Sequence, residues 1–358
     1  MRPPPTAIRR GIIDPLWLPI AAALALLLVL AGLAGTLAVP LGRRRRPLRV
    51  AVFGVIYLAV DGWLVIRCTL LWVRHPLASR RDQAAWSRAH QELLRQVLSL
   101  LVAAAGPLLG FRAEVQEPPE HDQGSGRPLL MLARHGGPGD SFALVELLLT
   151  RYQRRPVIVL KESLRWDPGL DLVLGRLPCC FIRPGEGSQA TRRIADLAAG
   201  MSPDDAILLF PEGGNWTPRR HYRAISRLRR AGRRQDAADA AGNPHLLPPR
   251  PAGLLACLAA RPDLDVAVVA HTGLEDLINP RLIWRALPVS ASPMLIRWWH
   301  EPASLLPETD EERREWLRLQ WAVVDAWIDS RKAARVPVGL VDGAADAPVP
   351  LSSTGPTA

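Results

Sequence analysis

Two short stretches of this chain carry residue types that could move a proton or hold an anion. The first, MLARHGGPGDSF (131–142), sets His135 five positions before Asp140, with only three glycines and a proline between them. Such a spacer favours an irregular turn over helix or strand, and the turn can fold the carboxylate of Asp140 back onto the imidazole of His135. A carboxylate bonded to one ring nitrogen fixes the tautomer and leaves the other nitrogen a better base. The exposed N–H groups of a glycine turn can also bind a phosphate or oxyanion. The second stretch is LLFPEGGNWTPRR (208–220), where Pro211 ends an apolar run, Glu212 stands at the tip, and Gly213 and Gly214 allow close approach to the backbone.

The spacing of His135 and Asp140 is not diagnostic by itself, because HTGLED (271–276) repeats it with His271 and Asp276, also after an apolar run. Ser141, in GDSF, opens a different chemistry as the nucleophile of a serine lipase or esterase. That reading needs a late Asp-x-x-His partner, and the chain has none.

These stretches need elements to position them. From residue 128 onward short apolar runs alternate with helical stretches: PLLMLA (128–133), PVIVL (156–160), CCFI (179–182), AILLF (206–210) and VAVVA (266–270). That alternation predicts an α/β sheet covered on both faces. Residues 191–200 and 311–330 read as amphipathic helices. Further upstream, residues 16–42 carry no charge and are long enough to cross a bilayer, and the arginines at 43–46 mark a cytoplasmic flank. The next apolar segment, 50–73, contains Asp61 and Arg67 near its middle. Each would cost about 2.5–3.5 kcal/mol at the centre of a bilayer. A second crossing would also carry the remainder to the outer face, so 50–73 is expected to lie in the interface or re-enter it, with a true second span as the alternative. In 83–109, Leu93, Leu94, Val97, Leu100 and Leu101 recur at helical spacing, on a face that suits the domain core or the membrane equally. The expected division is an N-terminal lead, spanning helix and basic cluster (1–47), a second apolar helix, interfacial or membrane, followed by an amphipathic helix (48–110), a catalytic domain (111–335) and a disordered tail (336–358).

The net charge of +11 calls for an anionic partner. Beside a membrane anchor, anionic lipid is favoured over nucleic acid, and the basic run at 223–234 has no interleaved aromatic residues to stack on bases. The four cysteines form no C-x-x-C pair, so neither a disulfide framework nor a metal site is expected.

Taken in order, His135/Asp140 and Phe210-Pro211-Glu212-Gly213 resemble the first and third motifs of the glycerophospholipid acyltransferase family. LKESLRWDPGLDLVLGRLPCCFIRP (160–184) is similar to its second block, and VAVVAHTG (266–273) to its fourth. The resemblance covers about residues 110–330 and selects His135/Asp140 over His271/Asp276. The pattern at 160–169, HLLPPRPAG (245–253) and the Trp-rich last helix are closer to the branch with the lysocardiolipin and lysophosphatidylinositol acyltransferases. The resemblance implies a mixed sheet flanked by helices, behind N-terminal membrane helices. It implies transfer of an acyl group from coenzyme A or acyl carrier protein to a lysophospholipid hydroxyl, on the cytoplasmic side of the cell membrane and without a cofactor. His135 is then the base and Asp140 its orienter, while Arg183, Glu212 and Gly213 position the acceptor. The chain departs from the family where Gly214, Asn215 and Trp216 stand in place of a phosphate-binding arginine, a place Arg219 or Arg220 could fill. A lipid-binding protein on the same fold, without turnover, is the alternative.

Overall fold

The computed structural model of the chain describes residues 3–38, 45–74, 83–116, 126–137, 139–183, 185–275, 277, 280–289 and 293–333. Arg43, Arg44, Pro138, Pro184, Asp276 and the expected tail lie outside these residues. A short helix α1 (Thr6–Ile8) runs through a π-helical turn (Arg9–Ile13) into α2 (Asp14–Ala38). Two long helices follow, α3 (Arg45–Arg74) and α4 (Gln83–Leu109). The remaining elements are β1 (Ala113–Val115), β2 (Leu129–Ala133), α5 (Asp140–Thr150), β3 (Arg155–Lys161), α6 (Pro168–Leu174), β4 (Cys179–Ile182), α7 (Ser188–Ala199) and β5 (Asp205–Leu209). They continue with α8 (Pro218–Arg230), α9 (Arg234–Gly242), α10 (Ala252–Ala260), β6 (Asp265–Thr272), α11 (Pro280–Ala286), β7 (Met294–Glu301) and α12 (Asp310–Ala333).

The seven strands form one mixed sheet in the order β1-β7-β6-β2-β5-β3-β4, with β7 antiparallel to β6 and every other pair parallel. The five apolar runs expected as strands are all present, and they form its parallel part. Because side chains alternate across a strand, β2 feeds two cores. Leu129, Met131 and Ala133 join one with α3, α4, α5 and α6, while Leu130 and Leu132 join the other with α7, α10 and α12. Helices on both faces leave the strand ends as the open edge, where loops after β2, β5, β3 and β4 meet.

Among the described residues, three helices are long and apolar enough to cross a membrane: Thr6–Ala38, Arg45–Arg74 and Ala85–Leu109. Their surroundings differ. Along α2 a row of large apolar residues is exposed, including Leu26, Leu27, Leu30 and Leu33. In α4, Leu93, Leu94, Val97 and Leu98 are buried in the core under the sheet, and Leu100 faces outward. The packing therefore has no break at residue 110. The helices expected to precede the catalytic domain supply part of its core.

The reading of 50–73 as interfacial rests on Asp61 and Arg67 as well as on topology, and the structure removes the argument from Asp61. Asp61 is buried against α6, where it accepts the Gly169 N–H at 2.9 Å. Beside it Tyr57 donates to Asp167, and further along Arg176 donates to the carbonyl of Cys68 at 2.6 Å. Arg67 lies 5.8 Å from the centre of the Trp63 ring. A Cβ added at Gly169 would stand 2.1 Å from the Asp61 carboxylate, so only glycine lets α6 close on α3. Gly169→Ala is expected to push the helices apart and lose about 1–3 kcal/mol, as overpacking does. A thermal midpoint unchanged in detergent would show that this contact is not tight.

Candidate active site

His135 stands two residues beyond β2 at the open edge, and Asp140 is the first residue of α5. The turn between them answers to its glycines individually. Gly139 has φ +90°, a left-handed conformation that suits glycine. A Cβ at Gly137 would meet the Leu274 carbonyl at 2.4 Å, and one at Gly136 would meet the Arg134 guanidinium at 2.9 Å. The chain doubles back as expected: His135 Nδ1 lies 2.8 Å from Asp140 Oδ2. Since the carboxylate can only accept, Nδ1 carries the proton and Nε2 has the free lone pair. The His135 side chain is 16% exposed and that of Asp140 only 1%, so the imidazole alone reaches the surface.

Asp140 is held as an anion. Burial raises its carboxyl, but the hydrogen bond from His135, the nearby His271 and the Gly137 N–H at 3.2 Å together bring it below the usual range. Its other oxygen accepts the Ser141 N–H at 2.6 Å and the Ser141 hydroxyl at 3.1 Å. Ser141 thus serves Asp140 and is not aligned with a base, which removes the serine-hydrolase reading. The helix N-terminus beneath Asp140 favours the same charge.

The stretch 210–216 holds His135 in place. The Phe210 ring centre is 4.6 Å from that of the imidazole, and the Trp216 N–H donates to the His135 carbonyl at 2.7 Å. Glu212 completes the grip: one oxygen accepts the His135 N–H at 3.3 Å, the other the Leu247 N–H at 3.2 Å. Glu212 is 2% exposed and its carboxyl is turned onto these backbone N–H groups, so it positions His135. Burial pushes this carboxyl up to about 8, against the opposing effects of Arg134 and the two N–H groups. A folded pKa above the unfolded one makes stability fall as pH rises from about 4.5 to about 8, by at most about 1.4 kcal/mol per unit. Glu212→Gln is therefore expected to flatten the decline in thermal midpoint between pH 5 and 8. An equal decline in both proteins would show that Glu212 ionises normally.

Arg183 follows β4, and Nε makes a 2.7 Å ion pair with Glu162, while half the side chain stays exposed. Gly213 has φ +69°, and a Cβ there would meet the Arg250 guanidinium at 3.0 Å. Lys161 ends β3 and is exposed overall, yet enough protein surrounds its ammonium to lower its pKa. The Arg220 charge adds to that lowering and Asp140 opposes it, which places Lys161 within reach of both. Among the described residues no group of three or more His, Cys, Asp or Glu side chains could hold a metal ion.

Behind the pair lies a feature the sequence did not signal. Arg134 is fully buried; Nη1 makes a 2.9 Å ion pair with Glu275 and also donates to the His271 carbonyl at 2.7 Å. His271, also buried, has Nε2 at 3.0 Å from the Arg134 carbonyl and 3.6 Å from Asp140. Burial drives His271 down to about 4, so it is neutral and packs behind Asp140. The second His-x4-Asp copy thus lends its histidine to the first.

The mixed sheet flanked by helices agrees with what the comparisons find. Residues 112–240 match the Acyltransferase family model, and this part of the chain is an acyltransferase domain. The fold is similar to that in the crystal structure of the 1-acyl-sn-glycerophosphate (LPA) acyltransferase, PlsC, from Thermotoga maritima. The TM-score is 0.52 at 15% identity, over 81% of this chain and 98% of that one. No curated protein matches the sequence.

Proposed function

We propose that the chain transfers a fatty acyl group from an acyl thioester to the glycerol hydroxyl of a lysophospholipid, at a membrane surface. The observation that carries this is His135, with Nδ1 bound to a buried anion and Nε2 at the open edge of the sheet. A hydroxyl is a poor nucleophile until a base removes its proton during attack. Nε2 takes that proton as the alkoxide oxygen adds to the thioester carbonyl. The tetrahedral intermediate then collapses, the C–S bond breaks, and the imidazolium returns the proton to the departing thiolate. Asp140 stabilises the transient imidazolium, and no acyl-enzyme is needed.

In this reading the exposed face of Arg183 and the Gly213 backbone border the acceptor. The exposed apolar row of α2 and the three apolar helices support membrane association, with the site facing the cytoplasm as the arginines after α2 suggest. The acceptor is lysophosphatidic acid or a lysophosphatidylinositol- or lysocardiolipin-like lipid, and the donor is acyl coenzyme A or acyl carrier protein. The test is acyl transfer from labelled acyl coenzyme A, then acyl carrier protein, by detergent-purified protein to each of these acceptors. Product with any pair supports the reading. Lipid binding without product from either donor would favour a lipid-binding protein on the same fold.

A further inference from the structure

A cavity of about 750 Å³ opens beside the site, between α8, α9, the loop at 247–251 and α12, and reaches the Glu212–Gly214 turn. Its wall is rich in charge of both signs, but the signs do not cancel evenly. Arg233 pairs with Asp236, Arg314 with Glu311, and Arg318 with both Glu315 and Asp239. Glu212 is occupied by backbone N–H groups. Arg220, Arg223, Arg227 and Arg250 also line the cavity, and none of them is in an ion pair among the described residues. The first three are spaced three and four residues apart on α8, so they share one helix face along about 10 Å.

Two of the four press on the glycine pair after Glu212. A Cβ at Gly213 would meet Arg250 Nη1 at 3.0 Å, and one at Gly214 would meet Arg220 Nη1 at 2.9 Å. Arg220 is fixed there by donating to the Asn215 carbonyl at 2.9 Å. Glycine at both positions therefore admits two guanidinium groups to the turn that grips His135. One or two guanidinium forks suffice for a single phosphate. Four arginines outside any ion pair among the described residues, spread over such a length, suit a ligand with two separate phosphate centres.

We infer that this cavity binds the phosphate groups of one of the two substrates, a ligand with at least two distinct phosphate centres, and leads its reacting end to His135. Two sources offer that chemistry: the nucleotide end of a coenzyme A donor, with a pyrophosphate and a 3′-phosphate, or a lysolipid acceptor with two phosphodiesters. Because the four arginines line a cavity, they fit a small ligand better than a protein surface. The inference rests on the acyl-transfer reading, but its test requires no turnover.

Binding would be measured by calorimetry on the full chain in detergent. The probes are coenzyme A, 3′-dephospho-coenzyme A, lysocardiolipin and lysophosphatidylglycerol, against wild type and Arg223→Gln/Arg227→Gln. Helix α8 has no buried residue, so the double variant should fold, and Arg250→Gln on the facing wall repeats the test should it not. The expected result is at least tenfold weaker binding of one two-centre probe, with its one-centre counterpart weak and insensitive. Loss with coenzyme A assigns the donor, and loss with lysocardiolipin the acceptor. Equal binding of both two-centre probes by wild type and variant overturns the inference, as does binding of neither by wild type. Wild type that binds but never transfers acyl groups would sink the acyl-transfer reading alone.

Discussion

His135→Ala is expected to lower kcat for acyl transfer by about a thousandfold, within the range of about 10²–10⁴ that a positioned general base contributes. The acceptor KM should change little, since the imidazole acts on the proton and the lipid is held elsewhere. Asp140→Asn should fall on the same path with a smaller loss. Its oxygens accept from His135, Gly137 and Ser141, and an amide must turn a donor toward one of these groups. His271→Ala is the informative control. His271 does not reach the surface, but it lies 3.6 Å from Asp140 and fills space behind it. Its loss should lower the thermal midpoint and reduce kcat modestly through a loosened Asp140. Single-turnover rates with each variant in detergent separate these outcomes. A His135→Ala protein that keeps a tenth or more of wild-type kcat would remove the base from the mechanism.

Much of this site could be read from residue order because its chemistry is local. His135 and Asp140 are five residues apart, and the three glycines between them each satisfy a requirement visible in the turn. The five parallel strands announced themselves as apolar runs, since both faces of each are covered. Two strands gave no such signal. β1 has three residues, and β7, MLIRWWHE, alternates buried and half-exposed positions. Trp298, Trp321 and Trp327 are core residues. What the sequence could not show depends on distant partners. Asp61 reads as a charge stranded in an apolar helix until Gly169 stands opposite it, and the burial of Glu212 depends on the segment at 245–250 closing over the turn. Arg134 looks like an ordinary loop residue, because its partner Glu275 is 141 positions away.

That pair carries the largest expected effect on stability. Arg134→Met is expected to destabilise the fold by about 3–5 kcal/mol, the usual loss when one partner of a buried ion pair is removed. The Glu275 carboxyl shows how strongly the pair is set. Burial raises it, yet Arg134, the Thr272 hydroxyl and nearby N–H groups bring it down to about 2. A folded pKa below the unfolded one gives stability that is fully present above about pH 4.5 and disappears as pH falls toward about 2. His271 works in the same direction over a higher range: held neutral down to about 4, it favours the unfolded chain as pH drops below about 6.5. Wild type should therefore lose stability in acid in two overlapping steps. In Arg134→Met the lower step should vanish, because a Glu275 without its cation is no longer held ionised. Arg134→Met/Glu275→Leu should recover part of the loss at neutral pH, since no buried charge is then stranded. Thermal midpoints of the three proteins from pH 3 to 7 test this. A single variant with the wild-type acid profile would show that Glu275 owes its low pKa to Thr272 and the backbone instead of Arg134. His135 follows Arg134 directly in the chain, so loosening this pair should also cost activity before the fold is lost. That makes Arg134 a positioning residue whose kcat and thermal midpoint decline together, unlike His135, where kcat falls alone.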